Sequence, residues 1–147
     1  MIENVNLEDI QKLSKLVDSI GAWLYKTEID EIKKSNISEL TYSELHTLKA
    51  IEEIENAKLY EIADKLGVSS ASMSVTIDNL EKKSFVIRDK DKNDRRAIII
   101  RLTEKGINAN REHEKLHCKM AEAILSKLDK DQQKIIVKAF EKLLSNE

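Results

Sequence analysis

The sequence predicts a mainly α-helical fold, a winged helix-turn-helix with a two-stranded β-wing, carried between long N- and C-terminal helices. Three observations predict it. The 147 residues contain no proline and only three glycines, Gly21, Gly67 and Gly106, so long uninterrupted helices are the natural outcome. Apolar residues recur at three- and four-residue steps through most of the chain. Two short β-type runs, Phe85–Asp89 and Ala97–Leu102, bracket the polar stretch Lys90–Arg96 as the strands of a hairpin bracket its tip.

Taken in order, residues 7–34 form the first helix. Leu7, Ile10, Leu13, Leu16, Val17, Ile20, Trp23, Leu24 and Ile29 make a stripe longer than one small core needs, and the surplus points to packing against a partner chain. Asn36–Leu40 is a connector. Thr41 and Glu44 form a capping box for a helix that runs to about Ile54, with Leu45, Leu48 and Ile51 inward. A short helix, Tyr60–Leu66, ends at Gly67, where a left-handed residue lets the chain turn. Ser69 caps the next helix, Ser70–Lys83, whose Met73, Ile77 and Leu80 face the core. After the wing a helix runs from Glu104 to about Lys127, with Ile107, Leu116, Met120, Ala123, Ile124 and Leu128 on its inner side and a strongly polar stretch at 108–115. Asp129 caps the last helix. The expected organisation is one unit over 1–147, with a winged part at 41–103 and dimerisation helices at 1–35 and 104–147.

Composition narrows the function. The single cysteine, Cys118, excludes an internal disulfide and fits a reducing cytoplasm. No apolar run approaches a membrane span, and the first residues are no signal peptide. The chain is net −2, yet Lys82–Lys105 holds nine basic residues against four acidic ones. A basic finger on an acidic body is a local footprint for phosphate. Double-stranded DNA is the expected partner. Ser70, Ser72, Ser74 and Thr76, on the polar side of the second helix of the turn, are expected to meet bases. Lys82, Lys83, Lys90, Lys92 and Arg95 are expected to meet phosphates. The same architecture also serves as a protein-docking module, but a docking wing is more often apolar.

This stretch resembles the MarR-type transcriptional regulators. The resemblance rests on Ile62-Ala63-x-x-Leu66-Gly67-Val68-Ser69, on Leu80-Glu81-x-Lys83, and on Asp94-Arg95-Arg96 followed by Leu102-Thr103-x-x-Gly106. It implies a homodimeric regulator, most simply a repressor, on a pseudo-palindromic operator, with helix 70–83 in the major groove and a wing arginine in the minor groove. It also implies a salt bridge between Asp78 and Arg96 that anchors the wing, leaving Arg95 for DNA. Ser84 departs from the pattern, since many relatives have glycine there.

The histidines raise three further readings. His113 and His117 share a helix face, and His46 lies on helix 41–54. Residues 113–117 read His-Glu-Lys-Leu-His, the string of helical zinc proteases. The chain offers neither a third ligand on that helix nor a cleft beside a sheet, so an enzyme is not expected. Some zinc-uptake regulators of the family use histidines in comparable places, but their acidic ligand is Leu45 here, and neither a metal nor a cofactor is assigned. Glu44-Leu45-His46-Thr47-Leu48 with His113 and His117 is similar instead to the fatty-acid-synthesis repressors of the family. That likeness implies a small-molecule or acyl-chain effector in a pocket near Trp23, His46, His113 and His117.

Overall fold

The computed structural model describes residues 5–92 and 97–145. Its order is α1 (Leu7–Lys34), α2 (Tyr42–Glu53), α3 (Leu59–Leu66), α4 (Ser70–Lys82), β1 (Val86–Lys90), β2 (Ile98–Leu102), α5 (Glu104–Leu125) and α6 (Lys130–Leu144). The strands pair antiparallel, with Val86 opposite Leu102 and Lys90 opposite Ile98.

Local chemistry sets most boundaries. Thr41 Oγ1 accepts from the Glu44 amide, and the Glu44 carboxylate accepts from the Thr41 amide, so α2 starts with the expected capping box. Ser69 Oγ accepts from the Ser72 amide at the head of α4. Asp129 does the same for the Asp131 and Gln132 amides at the head of α6. Gly67 takes φ +65° and ends α3. Ser84 takes φ +64° between α4 and the wing. A non-glycine residue thus adopts a left-handed turn, against a steric cost of about 1–2 kcal/mol.

The core lies between α2, α3, α4 and the inner face of the wing. Leu45, Leu48, Ile62, Met73, Ile77, Leu80 and Val86 are fully buried in it. The Ile100 amide donates to the Ala57 carbonyl at 2.7 Å, which ties the second wing strand back to the turn before α3. Helix α5 packs on α1 and α2. Its polar stretch is not solvated throughout: Ala109, Asn110 and His113 are buried.

Two surfaces stay open. Leu7, Leu13, Val17 and Ile20 on α1 are exposed, as are Ile135, Phe140, Leu143 and Leu144 on α6, and α6 buries no residue within the chain.

Gly106 lies on the first turn of α5, directly under the Phe85 carbonyl. That carbonyl accepts from the Thr103 amide at 3.0 Å and from Thr103 Oγ1 at 3.1 Å. A Cβ at Gly106 would overlap its oxygen. Gly106→Ala should therefore destabilise the chain by about 1–3 kcal/mol through enforced backbone movement. Thermal denaturation reads this, and an unchanged melting temperature would contradict the packing described.

Candidate functional site

Helix α4 presents one face to solvent. Ser70, Ala71, Ser72, Val75, Asp78, Asn79 and Lys82 are exposed, while Ser74 and Thr76 are half-buried. The hydroxyls expected to meet bases are partly committed within the helix. Thr76 Oγ1 donates to the Ser72 carbonyl at 3.2 Å, and Ser72 Oγ accepts from Ser69 Oγ at 3.0 Å.

The expected phosphate contacts divide. Lys82, Lys90 and Lys92 are exposed and make no ion pair among the described residues. Lys83 turns inward. Its Nζ donates to both carboxylate oxygens of Glu44, at 2.8 and 2.9 Å, and to the Glu39 carbonyl at 2.9 Å. Glu44 is only 4% exposed, so the structure corrects the expectation for Lys83: a buried carboxylate needs a partner, and Lys83 supplies it.

Arg95 and Arg96 lie outside the described residues. The wing is nevertheless tied to α4 through Asp78. Arg88, on β1, donates to Asp78 Oδ1 at 2.6 Å and to Glu81. Burial alone would lower the Arg88 pKa, but Asp78 and Glu81 outweigh it, and the guanidinium stays firmly charged.

A second constellation lies where α1, α2 and α5 meet. Glu28 of α1 is 6% exposed, and its Oε1 lies 2.7 Å from His113 Nε2, 2.8 Å from His46 Nε2 and 3.1 Å from His117 Nε2. One ligand atom from each of the four residues falls within 4.8 Å of all the others. Three imidazoles and a carboxylate are the donor set of a borderline-soft divalent cation such as Zn²⁺. Sequence reasoning missed Glu28. The available signal was a charge on an apolar stripe: Leu24, Glu28 and Ile32 follow at four-residue steps.

Burial acts on Glu28 to raise its pKa, but its hydrogen bonds to His113, His117 and His46 prevail and hold the carboxyl below the usual value. For His113 burial prevails over the Glu28 contact and lowers the pKa, so its ring stays neutral and donates to the carboxylate. Glu114, the middle acid of the His-Glu-x-x-His string, is exposed and stands outside the cluster.

A cleft of 470 Å³ opens beside Glu28 and His117, walled by Leu24, Tyr25, Tyr42, Met120 and Ile124. Trp23 is not part of it. Its ring lines a separate apolar groove with Ile20, Ile136 and Phe140, under Lys127, so of the four residues expected in one pocket only His117 lines this cleft, while His46 and His113 join it through Glu28.

Comparison with known proteins gives a consistent answer. The family model described as MarR family matches residues 40–98. The chain is similar to the uncharacterised HTH-type transcriptional regulator YwaE of Bacillus subtilis, 30% identical over 145 residues, covering 99% of this chain and 83% of that protein. It is similar to the HTH-type transcriptional regulator SarZ of Staphylococcus haemolyticus, 33% identical over 101 residues, covering 66% and 69% respectively. Among solved structures, a Bacillus stearothermophilus MarR family protein superposes with TM-score 0.83 at 21% identity, covering 95% of this chain and 96% of that one. Streptococcus pneumoniae FabT in complex with DNA gives 0.80 at 23%, covering 91% and 94%. These two likenesses establish the fold.

Two measurements test the site. Lys83→Met should cost about 1–3 kcal/mol by removing the cation paired with the buried Glu44 carboxylate, while Lys82→Met should stay within about 0.5 kcal/mol; equal effects in denaturant melts would contradict the separate roles. In metal-free protein the His113 ring should titrate below the free imidazole value of about 6.5, as read from its imidazole proton shifts. Both depressed groups take up protons first in the unfolded chain, so their stabilisation is complete above their unfolded values and is lost as pH falls from there through the depressed folded ones. A His113 midpoint above the free value would reverse that sign.

Proposed function

The chain belongs to the MarR family, and on that premise we propose that it is a homodimeric, DNA-binding transcriptional repressor whose affinity for its operator is set by an effector held at the junction of α1, α2 and α5. The His-Glu-x-x-His string is then part of a regulator helix and not of an enzyme.

DNA binding is supported by the exposed face of α4, by the cations Lys82, Lys90 and Lys92, and by a wing fixed to α4 through Arg88. Dimerisation is supported by the open apolar faces of α1 and α6. Two such chains related by a two-fold axis would offer their α4 helices to major grooves one helical turn apart, about 34 Å.

The effector reading rests on one observation: three imidazole nitrogens converge on Glu28 Oε1 at 2.7–3.1 Å. The donor set fits zinc. Glu28, His46, His113 and His117 would hold the ion, which would supply a charge that bonds α1, α2 and α5 in place of the present hydrogen bonds. An acyl chain is the second reading, supported by the apolar wall of Leu24, Met120, Ala121 and Ile124 beside the same cluster.

The test is a gel-shift titration of the full-length protein on the DNA flanking its own gene, with chelator, with zinc and with an acyl-chain ligand. Two chains per duplex and a salt-sensitive complex are expected. Zinc should bind at one ion per chain, and Glu28→Ala should weaken it by more than the ~10–100-fold typical of outer-shell changes. Zinc affinity unchanged in Glu28→Ala removes the metal reading. A response to acyl chains and none to zinc favours the second, and no DNA complex under any condition rejects the function.

A further inference from the structure

We propose that Val75 reads base identity, packing on the C5-methyl group of a thymine in the major groove. The inference rests on the DNA-binding reading above and names the residue of α4 that gives that surface its sequence preference.

The helical period places Val75 at the crest of the exposed face. Met73 and Ile77 are each two residues away and Leu80 is five, so at ~100° per residue all three point some 140–160° from Val75. Those three are fully buried, and Val75 is 61% exposed. It is the one large apolar side chain of α4 left in solvent. Ala71, one turn earlier on the same face, is exposed too and adds no bulk. The serines and Thr76 flank this ridge. Thr76 has already given its proton to the helix backbone, and Ser72 accepts from Ser69.

Chemistry then selects the contact. Among the four bases only thymine carries a methyl group in the major groove. A β-branched side chain in a helix holds one rotamer, so Val75 loses little freedom on docking. The neighbouring charge does not compete: Asp78 is held by Arg88 at 2.6 Å. Lys82, two turns after Val75 and on the same side, is placed for the backbone.

The experiment uses full-length protein and a randomised pool of DNA duplexes. The best-bound duplex is remade with each thymine singly replaced by deoxyuridine, which removes only the methyl. Affinities are measured for the wild type and for Val75→Ala. One thymine per half-site should stand out, its replacement weakening the wild type by about fourfold, the worth of one buried methyl-sized group. Val75→Ala should bind the parent duplex more weakly and be indifferent to that replacement. Equal deoxyuridine penalties in both proteins, no penalty in either, or selected sites without a fixed thymine would each overturn the role of Val75 while leaving DNA binding intact. A pool that yields no enriched duplex overturns the DNA-binding reading, and the inference with it.

Discussion

A carboxylate buried at the meeting point of three helices constrains this molecule more than any other single group. Glu28 sits on α1, and each of its three partners comes from another helix: His46 from α2, His113 and His117 from α5. Removing such a charge from water is costly unless its oxygens find donors. The three imidazoles are those donors, and together they fix how the long helices meet the winged part. A side chain of similar length without the charge, or a helix shifted by half a turn, would leave polar atoms stranded. The rings of His46, His113 and His117 pack edge-on and tilted against one another, with centroids 4.3–5.8 Å apart.

Helix α2 joins this junction to α4 and the wing. Within its first turns Thr41 and Glu44 complete the cap, Glu44 holds Lys83 at the end of α4, and His46 reaches Glu28. Three consecutive tasks therefore fall on one rigid segment. Lys83 is also the residue that hands the chain from α4 to the left-handed Ser84 and on to the wing. The contacts of α2 with the histidine cluster and with the end of α4 leave the same turn of helix, at His46 and Glu44. That is the physical sense in which an occupant of the cluster and a DNA duplex would be linked.

What the sequence made legible was local, and what it hid was remote. Gly67, Ser69, the Thr41–Glu44 box and Asp129 announce themselves because each acts on backbone within four residues. The apolar stripes of α2 and α4 follow from the helical period alone. Glu28 was not legible because its partners lie 18, 85 and 89 residues away, and a glutamate on a long polar-faced helix is normally solvated. Its place on an apolar stripe with Leu24 and Ile32 was the one local signal, since the residue beside His46 is Leu45 and not an acid. The burial within the polar stretch 108–115 was not legible for the same reason. Asn110 is buried because Leu48 and Glu52 of α2 offer it acceptors at 3.0 and 2.9 Å.

Net charge over the wing shows how a window misleads when its boundaries cut through ion pairs. Of the basic residues between Lys82 and Lys105, Lys83 is held by Glu44, Arg88 by Asp78 and Glu81, Arg101 by Asp89, and Lys105 by Glu39. Most of those acids lie outside the window, so its excess overstates the cations free for phosphate. A paired cation releases few counterions on meeting DNA and adds little to affinity. With fewer free charges, sequence-blind attraction is weaker, and contacts that differ between bases carry a larger share of the binding. An exposed valine at the crest of α4 is costly to leave in water and gains only where a matching apolar group awaits it. The internal pairing of the wing and the apolar crest of the helix thus fit the same reading: a surface that would hold loosely to any duplex and discriminate through a base methyl group.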